Sequence, residues 1–140
     1  LLPLEKTAGV INMDMLNIFG RTKDMIITGL GKSGLDDYVV SVLEKYGRYV
    51  TGDPTPEKGH YFRSDHLSFA KAGVKALYLS KGIDDLEHGR EWGMEQLDKW
   101  VTENYHKPSD NYDPEKWKFD GMLEDLKVYF EVGYRIANSK

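Results

Sequence analysis

The sequence predicts an α/β domain with helices on both faces of a mixed, mostly parallel sheet. Three observations carry that reading. Short apolar runs of strand length recur at 8–16, 23–29 and 74–80. Stretches with helical apolar spacing stand at 34–47 and 113–138. Strands alternating with helices are the order that builds a layered sheet with its crossovers on the faces.

The first strand carries "VINMDML", residues 10–16. Val10, Ile11, Met13, Met15 and Leu16 are what a strand covered on both faces would carry, and Asp14 is the misfit. An isolated buried carboxylate costs several kcal/mol unless something compensates it. "KDMIITG" (23–29) is a shorter strand bounded by charge and Gly. "TGLGKSG" (28–34) resembles a phosphate-binding loop, but the Walker spacing requires Gly where Ile26 stands. It reads as a turn from strand to helix.

In the helix at 34–46, Leu35, Tyr38, Val39, Val42, Leu43 and Tyr46 fall on one face, and Gly47 stands at C′. "RYVT" (48–51) is a further short strand, and 52–59 is a Pro- and Gly-rich loop. "SDHLSFAKAG" (64–73) is a short helix with Ser64 as N-cap and Gly73 at its end. Residues 81–112 are charged and irregular, with a helix near "MEQLDKWV". The final helix is expected to run over 114–137, capped by Asp113 with Pro114 at N1. Its expected buried face is Phe119, Met122, Leu123, Leu126, Tyr129, Phe130 and Gly133.

At 140 residues the chain is one domain's worth, long enough to bury a core. Net charge is −4 with the signs interleaved, and no basic stripe offers itself to nucleic acid. No apolar run approaches membrane-spanning length. Cysteine is absent, which excludes disulfides and thiolate metal sites and leaves the compartment open.

The chemistry-bearing residues gather in two further stretches. Ser64, Asp65 and His66 are consecutive, so their diverging side chains cannot form a serine triad with one another. "NYHKPSDNYD" (104–113) puts His106 in a loop ahead of a Pro and two aspartates.

In this order, "VINMDMLN", "HYFRSDHLSFAKAG" and "YHKPSDNYD" resemble the carboxy-terminal half of the co-catalytic di-zinc aminopeptidases. That family includes bacterial leucyl aminopeptidases, glutamate carboxypeptidase II and, as a non-catalytic relative, the transferrin receptor. The resemblance implies part of a zinc-exopeptidase domain of phosphorylase/hydrolase-like fold, with two zinc ions at the carboxyl ends of strands. The family's five ligands, in chain order, are a His, a bridging Asp, a Glu, an Asp and a final His. A second Glu, adjacent to the Glu ligand, is the general base. Carried onto this chain, the later Asp is Asp14 and the final His is His106. The Tyr three residues before Ser-Asp-His, which lies over the scissile carbonyl in several members, is Tyr61.

The remaining ligands and the general base are expected upstream of residue 1. Residues 1–140 are therefore expected to be the carboxy-terminal portion of a catalytic domain, inactive alone, with Asp14 facing zinc in the complete protein. The expected partner is a peptide substrate, with no nucleic acid and no membrane span. Self-association is expected through an exposed sheet edge, that of 8–16 foremost. The resemblance points to a secreted or periplasmic setting. Two alternatives share the scaffold: a non-catalytic binding domain, and a glutaminyl-cyclase-like enzyme using one zinc.

Overall fold

The computed structural model describes residues 3–139. Its four strands are β1 (Val10–Met13), β2 (Asp24–Ile27), β3 (Tyr49–Gly52) and β4 (Ala76–Lys81). They form one sheet in the order β1-β4-β2-β3. β1 pairs with β4 in parallel, as β2 does with β3, and β2 meets β4 antiparallel. The helices are α1 (Asp36–Lys45), α2 (His66–Lys71), α3 (Gly89–Glu103) and α4 (Phe119–Ala137). The sheet is thus mixed and mostly parallel, and the α/β class holds.

Strand alternation assigns the two faces. Met25, Ile27, Leu77 and Leu79 point into one core with Leu35, Val39, Val42 and Leu43 of the α1 segment and Val128, Tyr129, Val132 and Ile136 of α4. The Tyr129 hydroxyl donates to the Leu79 carbonyl at 2.7 Å, which ties α4 to β4. Tyr78 has the opposite parity and meets His66 of α2, ring centroids 5.2 Å apart. α1 and α4 therefore share one face, and the short α2 covers part of the other. α1 ends as expected: Gly47 takes φ +67, and Arg48 N–H donates back to the Leu43 carbonyl at 2.9 Å.

Several expectations are corrected. The first strand spans 10–13 rather than 8–16, and it is an edge strand, half-buried rather than covered on both faces. Asp14 lies beyond its end and is exposed, so no buried carboxylate needs rescue there. The cause is local: Met15 takes φ +52, the chain turns, and Leu16 returns to the core while Met13 stays 57% exposed. Ser64 is not the N-cap of α2; its hydroxyl accepts from Asn12 Nδ2 at 2.8 Å instead. The helix expected near 94–101 is present as α3, longer than that motif at 15 residues; it buries no residue fully and so lacks a strong apolar stripe.

The last helix begins at Phe119, not Pro114. Lys118 is held extended by a bridge to Phe19, and its N–H donates to the Ile18 carbonyl at 2.9 Å, so residues 113–117 form a separate turn. The buried stripe of α4 is also rotated. Gly121, Asp125, Val128, Tyr129, Val132 and Ile136 face inward, whereas Phe119, Leu123 and Phe130 are exposed. Asp125 can occupy the buried stripe because Arg48 Nη2 donates to its Oδ1 at 2.7 Å.

Candidate active site

Asp14 sits at the carboxyl end of β1, immediately after the residue paired with Leu79 of β4. Its surroundings are read from the groups it influences. Burial pushes the Tyr78 hydroxyl up from its ordinary range, and the negative charge of Asp14 adds to that push. Burial pulls the Lys81 ammonium down to about 8, opposed by Asp125 and Asp14. The Lys81 ammonium lies 5.2 Å from the Phe19 ring centroid, a cation–π contact that replaces part of its lost hydration.

His106 lies in the loop between α3 and α4 and is exposed. Its ring stacks on Tyr105, centroids 3.8 Å apart and planes 20° off parallel. The loop is fastened by Lys107 N–H donating to the Asn104 carbonyl at 2.9 Å and by the Ser109 hydroxyl donating to the Glu103 carbonyl at 3.0 Å. The charge of Asp14, and more weakly the Tyr105 hydroxyl, add to the dominant effect of burial on the Tyr78 hydroxyl.

Tyr61 is on a 3₁₀ turn, His60–Arg63, and is half-buried. Its ring stands edge-on to His66 at 4.7 Å, and His66 in turn lies against Tyr78. Asn12, two residues before Asp14, holds Ser64 by its side-chain amide, which fastens the Ser-Asp-His stretch to β1. Ring contacts therefore join Tyr61 through His66 to Tyr78.

Backbone conformation marks the same places. Among the described residues, the non-glycine residues with positive φ are Met15 at +52° and His106 at +58°. That region disfavours side-chain-bearing residues, and such strain clusters at functional sites. One of these residues adjoins Asp14 and the other is the predicted histidine ligand.

The donors themselves suit zinc, which takes carboxylate oxygen and imidazole nitrogen. Their number does not suffice: among the described residues, no group of three or more His, Cys, Asp or Glu side chains gathers. The described residues form no complete metal site by themselves. Sequence reasoning missed Tyr78 and Tyr105. Tyr78 shows in the sequence only as one of the apolar letters of a strand, while Tyr105 stands next to His106 and invites inspection by adjacency alone.

Residues 2–130 match the family model described as Peptidase family M28. No curated protein and no solved structure gives a match. The family match spans most of the chain and includes Asp14, Tyr61, the Ser-Asp-His stretch and His106. The chain therefore belongs to peptidase family M28, the family of co-catalytic zinc aminopeptidases, glutamate carboxypeptidase II and transferrin receptor-like proteins.

Proposed function

We propose that this chain is the carboxy-terminal part of the catalytic domain of a zinc-dependent exopeptidase of aminopeptidase type. In this reading Asp14 and His106 hold metal and Tyr61 serves the reacting carbonyl. The observation that carries it is the coincidence of strained backbone with the two ligand positions, at Met15 beside Asp14 and at His106 itself. Asp14 follows directly on the last residue of the β1–β4 pairing, at its carboxyl end.

A pair of metal ions, when bound, supplies Lewis acidity and a nucleophile at neutral pH. The rest falls to side chains. Asp14 offers its carboxylate from an exposed turn. His106 offers an imidazole nitrogen, a ligand type zinc takes. Its stack on Tyr105 fixes the ring plane before metal arrives. The Tyr61 hydroxyl donates a hydrogen bond to the oxyanion that develops on the scissile carbonyl. Loss of one such donor costs roughly 2.7–4 kcal/mol of transition-state stabilisation in a well-studied hydrolase. Among the described residues no group of three or more metal-capable side chains gathers, so the reading also requires further ligands and a general base.

The experiment is hydrolysis of aminoacyl-nitroanilides by the full-length protein with and without chelator, beside the 140-residue chain. Chelator-sensitive turnover by the former and none by the latter is expected. Robust chelator-sensitive turnover by the 140-residue chain would overturn the division of the site.

A further inference from the structure

We propose that Gly29 and His66 form a seat that orients the Tyr61 ring, which makes both of them positioning residues. The functional part rests on the exopeptidase reading of Tyr61; the seat itself rests on geometry alone.

The glycine-rich stretch 28–34 fails as a phosphate loop and needs another explanation. It leaves the fully buried β2 and enters α1. Its course is pinned by Gly31 N–H donating to Asp36 Oδ2 at 2.7 Å and Lys32 N–H donating to the Gly29 carbonyl at 3.0 Å. Gly29 and Gly31 share nearly the same left-handed backbone, φ +85° and +86°. They differ in what a side chain would meet. A Cβ at Gly31 meets nothing within 4 Å. A Cβ at Gly29 would fall on Cδ2 and Cε2 of the Tyr61 ring. Backbone conformation accounts for both glycines, but only Gly29 also provides the space the tyrosine ring occupies.

The other wall of the seat is His66, only 1% exposed. Neither of its ring nitrogens has a hydrogen-bond partner in the described structure. A buried polar ring without partners is costly, so its hold on Tyr61 comes from shape and not from a hydrogen bond. Its ring meets Tyr61 edge-on at 73° and leans on Tyr78 on its other side. Lys32, from the same loop as Gly29, places its ammonium 5.4 Å from the Tyr61 ring centroid. The ring is thus bounded by backbone, by a buried imidazole and by a cation. A hydroxyl that must meet a reacting oxygen needs such support, because a displacement near 1 Å costs roughly 10²-fold in rate.

The test compares Gly29→Ala with Gly31→Ala. The two carry the same backbone strain, and only the first invades the ring. In the isotope-labelled 140-residue chain without metal, nuclear Overhauser contacts between the Tyr61 ring and residues 29 and 66 are read directly. They should be present in wild type, Gly31→Ala and His66→Phe, and lost in Gly29→Ala and His66→Ala. In the zinc-loaded full-length protein, Gly29→Ala should lower kcat roughly 10²-fold with KM little changed. Adding Tyr61→Phe should then cost nothing more, while Gly31→Ala keeps kcat. Equal behaviour of the two alanine variants, or a Tyr61 contact that survives in Gly29→Ala, overturns the seat. A full-length protein that hydrolyses nothing overturns the exopeptidase reading, and the magnetic-resonance comparison still decides the seat.

Discussion

Replacing Arg48 with Met should destabilise the chain far more than an ordinary surface change. Arg48 precedes β3 and is 9% exposed, and Asp125 on α4 is 1% exposed. One guanidinium nitrogen, Nη2, donates to Asp125 Oδ1 at 2.7 Å, to the Asp24 carbonyl at 2.8 Å and to Thr22 Oγ1 at 3.0 Å. It therefore joins α4 to the start of β2 under the sheet. Removing one member of a buried pair leaves the other uncompensated and costs about 3–5 kcal/mol. Relief by protonation sets the lower end. Burial already pushes the Asp125 carboxyl up to about 6 against the pull of Arg48, and without Arg48 it rises further. The sign follows. A carboxyl raised in the folded state binds a proton that the unfolded chain has released, so stability falls as pH rises from about 4 through about 6. In Arg48→Met that decline extends to higher pH, and the loss is larger at pH 7 than at pH 5. Urea unfolding of wild type, Arg48→Met and Arg48→Met/Asp125→Leu at both pH values measures it. The double variant should recover much of the loss. A single-variant cost under about 1 kcal/mol at pH 7, or one no smaller at pH 5, would refute the reasoning.

Three further outcomes are expected. Hydrogen bonds from Lys45, then Tyr46 and Arg135, hold the Glu131 carboxylate down to about 2. It therefore contributes stability above pH about 4.5 that is lost as pH falls toward 2, and acid unfolding of Glu131→Gln should lack that part of the slope. Tyr61→Phe in the full-length protein should lower kcat by roughly 10²–10³ with zinc content unchanged; an unaltered kcat would make Tyr61 a packing residue. The outer edge of β1 pairs with no strand among the described residues. Light scattering across a dilution series should show the 140-residue chain self-associating, and a monomer at every concentration would reject that expectation.

The sequence shows best those features whose signal is periodic. The apolar stripe of α1 and its Gly47 terminus are visible in the letters, because helix ends and faces follow from spacing and from one residue's φ. The stripe of α4 is misread because both of its faces carry large apolar residues. The true inward face includes Gly121, where a side chain would strike the Gly20 backbone, and Asp125, whose charge is met by an Arg distant in sequence. Neither compensation is local, so periodicity cannot find it. The same limit applies at β1, where an apolar run conceals a short edge strand followed by a left-handed Met15. For the candidate site, motif order nominated Asp14, Tyr61 and His106, while the ring contacts of His66 with Tyr61 and Tyr78 became visible only in three dimensions. Tyr78 reads in the sequence as a strand letter and His66 as part of a helix start.

The most direct test of the metal assignment is zinc stoichiometry of the full-length protein by atomic absorption after dialysis, compared among wild type, Asp14→Ala, His106→Ala and Tyr61→Phe. Asp14→Ala and His106→Ala should each lose bound zinc and aminoacyl-nitroanilide hydrolysis together, with Tyr61→Phe retaining the metal while turning over slowly. Full zinc content in both Asp14→Ala and His106→Ala would contradict the assignment of these residues as ligands.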